Sequence, residues 1–188
     1  MNTSAAERRT NILVLGLGNV LLGDDGVGPL ALARLENDYT VPAPVRLVEG
    51  GTLGLVLLDE IASADHVILV DAVATGDTPG TLVRLDGAAV RDAVRERLSV
   101  HQVGVADLLD AARLLGSYPQ TVVLLGLAPG RIGFGIERTP AVQAALDDLV
   151  VAVVREVGFR GYTLVDQTGT VSSAPARPIR SLVGHFGL

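Results

Sequence analysis

The chain has 188 residues, 48% of them apolar and only 3% aromatic, with a formal net charge of −6. That length suits one domain with a sizeable aliphatic core, and the negative balance argues against nucleic-acid binding, which needs a basic surface to displace counterions. There is no cysteine and all 15 basic residues are arginine, which excludes disulfides, thiolate metal sites, a catalytic thiol, a phosphate-loop or Schiff-base lysine and a Ser–Lys dyad.

In chain order, residues 12–17 (Ile-Leu-Val-Leu-Gly-Leu) predict a short buried strand. Pro29 stands near the start of a helix, where its missing N–H costs little, and Val27, Leu30, Ala31 and Leu35 form its apolar face. Residues 45–49 predict a second strand, and residues 53–62 a short helix with Leu53, Leu57, Leu58 and Ile61 on one side. The clearest strand is 66–72 (His-Val-Ile-Leu-Val-Asp-Ala), and another follows at 81–86. The link between them is too short for a parallel crossover, so if they are neighbours they pair antiparallel.

A helix is predicted over 103–115, with Val105, Leu108, Leu109, Ala112 and Leu115 on one face and Gly116 ending it. Residues 121–127 give a fifth strand. The longest helix spans 139–157, with Thr139 as N-cap, Pro140 in the first turn and Val142, Leu146, Leu149, Val153 and Val157 along one side.

Strands alternating with helices predict an α/β domain over residues 11–158, with a lead over 1–10 and a tail over 159–188. The expected core is a five-stranded, mostly parallel sheet with one antiparallel strand at 81–86. The Ser-, Pro- and Gly-rich residues 168–188 are expected to be dispensable for activity. No secretion signal is read, because Gly16, Gly18, Asp24 and Asp25 break the first apolar run. No apolar stretch approaches the roughly 20 residues that span a bilayer. The expectation is a soluble, cytoplasmic monomer.

Three stretches concentrate chemistry: Gly16-Leu17-Gly18-Asn19-Val20-Leu21-Leu22-Gly23-Asp24-Asp25-Gly26-Val27-Gly28, Val70-Asp71-Ala72, and Ser99-Val100-His101-Gln102. The first invites a dinucleotide-binding reading, but position 21 is Leu where the third glycine belongs. Glu49 lies further on than the ribose-binding acid should, and Asp24 and Asp25 would repel a pyrophosphate. Two adjacent carboxylates beside glycines exceed what helix capping needs, although one of them suits that task. Asp71 ends an otherwise apolar strand, where open α/β folds place their sites; a buried carboxylate there needs a metal or a hydrogen-bonding partner. His101, alone, reads equally as a structural or solvated histidine. Ser99 with His101 lacks the Gly-x-Ser-x-Gly elbow of a nucleophile. His66 opens a strand and His185 lies in the tail. Oxygen and nitrogen donors without sulfur suit nickel, zinc, iron or manganese.

In order and wording, the three stretches resemble the hydrogenase maturation endopeptidases, and the resemblance runs over about residues 11–158. It implies a twisted sheet with helices on both faces. It also implies removal of the C-terminal extension from the large-subunit precursor of a nickel–iron hydrogenase after nickel insertion. Asp25, Asp71 and His101 are then the metal-contacting and catalytic side chains, and the nickel is carried by the precursor rather than stored. Gly50-Gly51-Thr52 would help shape the cleft, and some relatives carry Glu where this chain has Asp25. An assembly factor that binds nickel or the precursor without cutting would use the same three residues.

Overall fold

The computed structural model describes residues 10–51, 57–95, 100–167 and 178–184; for 94, 95, 100–103 and 182–184 it describes the backbone. Eight strands and five helices follow in the order β1 (Ile12–Leu17), α1 (Val27–Asp38), β2 (Tyr39–Thr40), β3 (Val45–Gly51), α2 (Leu58–Ala62), β4 (His66–Ala72), β5 (Leu82–Gly87), α3 (Ala88–Arg95), α4 (Val100–Leu114), β6 (Thr121–Leu127), α5 (Pro140–Gly158), β7 (Val165–Asp166) and β8 (Arg180–Gly184). A 3-10 turn, Asp24–Gly26, leads into α1.

Six strands form the central sheet in the order β3-β1-β4-β6-β5-β8, so the expected count of five is one short. β3, β1, β4 and β6 run parallel. β5 is antiparallel to β6, and β8 lies parallel to β5 at the edge. Thus β4 and β5 are not neighbours, because β6 lies between them. β5 is antiparallel as expected, but it pairs with a strand formed later in the chain.

The inner parallel strands β1, β4 and β6 are the short aliphatic runs, since helices cover both of their faces. On one face Ile12, Val14, Ile68, Val70, Val123 and Leu125 pack with Val27, Ala31 and Leu35 of α1 and with Val142, Leu149 and Val153 of α5. On the other, Leu13, Leu15, Val67, Leu69 and Leu124 meet Ile61 of α2, Val90 of α3, and Val105, Leu108 and Leu109 of α4. The stripes on α1, α4 and α5 therefore point inward, with one exception. Leu115, placed on the apolar face of α4, falls just past the helix end and is exposed. Residues 53–56 of the predicted second helix lie outside the described residues; α2 covers 58–62, with Leu57 at its N-cap.

The stretch set apart as a tail enters the fold. Leu164 is fully buried, β7 pairs with β2, and β8 completes the sheet. Arg180 of β8 also pairs with Asp77. Past the sheet face, Glu156 of α5 is buried between Arg84 of β5, at 3.0 Å, and Arg160, at 2.9 Å. His66 has a structural role, its Nδ1 lying 2.8 Å from Thr121 Oγ1 at the start of β6.

Candidate active site

From β1 the chain returns through α1 to β3 on one side, whereas from β4 it proceeds through β5, α3 and α4 to β6 on the other. The connections diverge between β1 and β4. Such a switch point opens a crevice at the C-terminal end of the strands. Asp25 follows β1 and Asp71 ends β4, so the two carboxylates flank this crevice. The turn that carries Asp25 packs directly against β4.

Close backbone approach makes this possible. A Cβ on Gly28 would lie 2.2 Å from the Leu17 carbonyl oxygen and 2.4 Å from that of Val70. Only glycine lets α1 start so near the ends of β1 and β4. Gly18, at φ 112°, likewise lies against the Asp25 carbonyl, where a Cβ would come within 1.9 Å.

Asp25 is 2% exposed and Asp71 1%. The Asn19 N–H donates to Asp25 Oδ2 at 2.8 Å. The Ala72 N–H donates to Asp71 Oδ1 at 2.7 Å. Each carboxylate is therefore fixed by a backbone donor. Asp71 alternates with Leu69 and Val67, which places it on the sheet face covered by α4. Only residues 115–120 separate α4 from β6, so α4 runs against β6 and its first turn stands at the crevice end. His101 belongs to that first turn, because the helix begins at Val100, ahead of its predicted start at 103. Its side chain lies outside the described residues. Among the described residues, no three carboxylate or imidazole side chains gather into a metal cage.

Asp24, which the sequence left undivided from Asp25, has different surroundings. Its carboxylate accepts from the backbone N–H groups of Gly130 (2.8 Å), Arg131 (2.9 Å) and Thr139 (2.7 Å), and from the Thr139 hydroxyl (2.8 Å). Burial alone would raise its pKa. The donors from Thr139, Arg131 and Gly130 outweigh burial and hold the carboxyl below its ordinary value of 3.8. Asp24 thus ties the segment after β6 to the segment after β1. Thr139 precedes α5 as expected, yet its hydroxyl is turned to Asp24 and makes no cap bond. The paired acids were visible in the sequence, but partners 106 to 115 residues away were not.

The dinucleotide reading fails here. Leu21 is exposed at the position of the third glycine, and two buried acids fill the turn where a pyrophosphate would need donors.

Fold and site together define a class: a three-layer α/β protein whose switch-point crevice carries fixed, buried carboxylates suited to hydrolytic chemistry. The HycI hydrogenase maturation protease model matches residues 30–156. The hydrogenase 2 maturation protease of Escherichia coli (strain K12) is 38% identical over 151 residues, 78% of this chain and 92% of that protein. The hydrogenase expression/formation protein HupD of Rhodobacter capsulatus is 39% identical over 166 residues, 86% of this chain and 78% of its own length. Among solved structures, the hydrogenase maturating endopeptidase HybD from E. coli has a TM-score of 0.82 at 33% identity, covering 86% of this chain and 100% of that one. The chain belongs to the hydrogenase maturation protease family, and it is a peptidase.

Proposed function

We propose that this peptidase removes the C-terminal extension from the large-subunit precursor of a nickel–iron hydrogenase once nickel has been inserted. The observation that carries the reading is the pair Asp25 and Asp71, each almost wholly buried and each accepting a backbone N–H, on the two sides of the crevice. Carboxylate oxygens and an imidazole nitrogen are donors that match nickel. Asp25, Asp71 and His101 engage the nickel that the precursor brings, so the metal enters as part of the substrate. A carboxylate takes a proton from the water that attacks the scissile carbonyl and returns it to the leaving amine. Nickel polarises that carbonyl or only reports that the precursor is loaded. The cytoplasm, where such a precursor would be assembled, is the proposed location, and the enzyme acts as a monomer.

The test compares the mass of nickel-loaded and nickel-free precursor after incubation with the protein. Wild type is expected to shorten only the loaded form. Asp71→Ala and His101→Ala are expected to slow cutting by about a hundredfold or more, on the scale of a lost catalytic group, while keeping the fold. Equal cutting of both forms by wild type would remove nickel recognition from the reading. Binding of the precursor with no cutting of either form would favour an assembly factor.

A further inference from the structure

The structure carries an apolar surface beside the crevice that the core does not use. Phe134 is 95% exposed, Ile136 66%, Leu21 56% and Ile132 50%. They come from two segments far apart in sequence that are laced together by their backbones. Gly133 N–H donates to Leu22 O at 3.2 Å, Gly135 N–H to Leu21 O at 3.0 Å, and Gly23 N–H to Gly135 O at 2.7 Å. The lacing ends at Asp24, whose buried carboxylate grips Gly130, Arg131 and Thr139. On the other flank, Asn19 Oδ1 accepts from Leu21 N–H at 2.9 Å while its own N–H holds Asp25. The arch formed by residues 131–137 is therefore continuous with the turn that positions Asp25.

The bonds of Asp24 steady the loop, but the loop's large apolar side chains remain in solvent. A buried charge and a web of backbone bonds fix a loop whose large side chains contribute nothing to the core. Exposed apolar side chains on a firmly held loop are the mark of a recognition surface. A preorganised surface loses little freedom on binding.

We infer that the 131–137 arch, with Leu21, is the docking surface for an uncharged, apolar segment of the polypeptide substrate close to its scissile bond. The inference rests on the protease reading above. Its occupant follows from continuity: the arch is bonded to residues 21–23, which lead into the turn that carries Asp25, so a chain held at Asp25 has the arch beside it. A membrane is the poorer occupant, because the chain carries a net charge of −6, which anionic lipid repels.

The experiment measures both binding and cutting of nickel-loaded precursor by wild type, a Phe134→Ser/Ile136→Ser double variant, Phe134→Leu, and Leu114→Ser. Leu114 is 89% exposed at the end of α4 away from the crevice and serves as control. The double variant is expected to weaken precursor binding and raise KM by about tenfold, the scale of a lost interface anchor. Phe134→Leu is expected to stay within about threefold of wild type, and Leu114→Ser to match it. Equal affinity in wild type and the double variant would overturn the inference. So would a wild-type dimer that the double substitution dissociates, since the patch would then belong to a second copy. Binding is titrated separately, so a wild type that binds without cutting fails the protease reading, whereas unchanged binding in the double variant fails the docking surface.

Discussion

Asp24 and Asp25 are adjacent in the chain and opposite in task. Asp24 accepts four hydrogen bonds and is fully buried, whereas Asp25 is held through Asn19 beside the crevice. Asp24→Ala leaves the part-buried donors of Gly130, Arg131 and Thr139 without their acceptor. It is expected to lower stability by about 3 kcal/mol and the melting temperature by about 10 °C. Asp25→Ala is expected to lose cutting while melting within a few degrees of wild type, because a site residue often contributes little to stability. Thermal denaturation of the two variants side by side checks both. If Asp25→Ala is the more destabilised, the division of labour is reversed.

At the scale of elements, the edge strand β8 shows what the sequence withheld. Arg180-Ser181-Leu182-Val183-Gly184 carries no long aliphatic run, follows Pro178 and, among the described residues, pairs only with β5, so local pattern does not announce it. The buried strands 12–17, 66–72 and 121–127 were legible because cover on both faces demands continuous apolar residues. The insertion of β6 between β4 and β5 was not, since strand order depends on contacts remote in sequence. The crevice fared similarly. Asp71 at the end of β4 was readable from position alone, and His101 shifted from a preceding loop into the first turn of α4. The partners of Asp24 and the arch needed the folded chain. Ending the protein at Gln167 removes β8 and uncovers the edge of β5. The truncated protein is expected to melt several degrees lower and to aggregate more readily. Its folded fraction is still expected to cut, because β5 and β6 separate β8 from the strand that bears Asp71. A folded truncation with no activity would give the last strand a part in catalysis.

For the whole molecule, acid stability follows from two groups with opposite chemistry and the same sign. Burial and the charge of Arg160 lower the pKa of His66 below 6.5, with Asp65 opposing. The unfolded chain therefore binds that proton more readily, and the contribution is full above pH 6.5 and lost as pH falls through the folded value. Asp24, held below 3.8, contributes above 3.8 and loses its part at still lower pH. Stability is expected to be highest above pH 6.5, with a first decline beginning there and a steeper one below 3.8. Denaturant midpoints measured across this range check it, and His66→Gln should flatten the first decline.

The grip of Asp24 on residues 130–139 also has a bearing on time. During synthesis the chain emerges from its first residue onward, and domains fold as their parts become available. The crevice wall at Asp25 is made early, but the arch that is tied to it arrives more than a hundred residues later. Until Thr139 has left the ribosome, the Asp24 carboxylate has no lock to close. The turn beside the crevice therefore gains its full set of bonds only after the segment from Gly130 to Thr139 has been made.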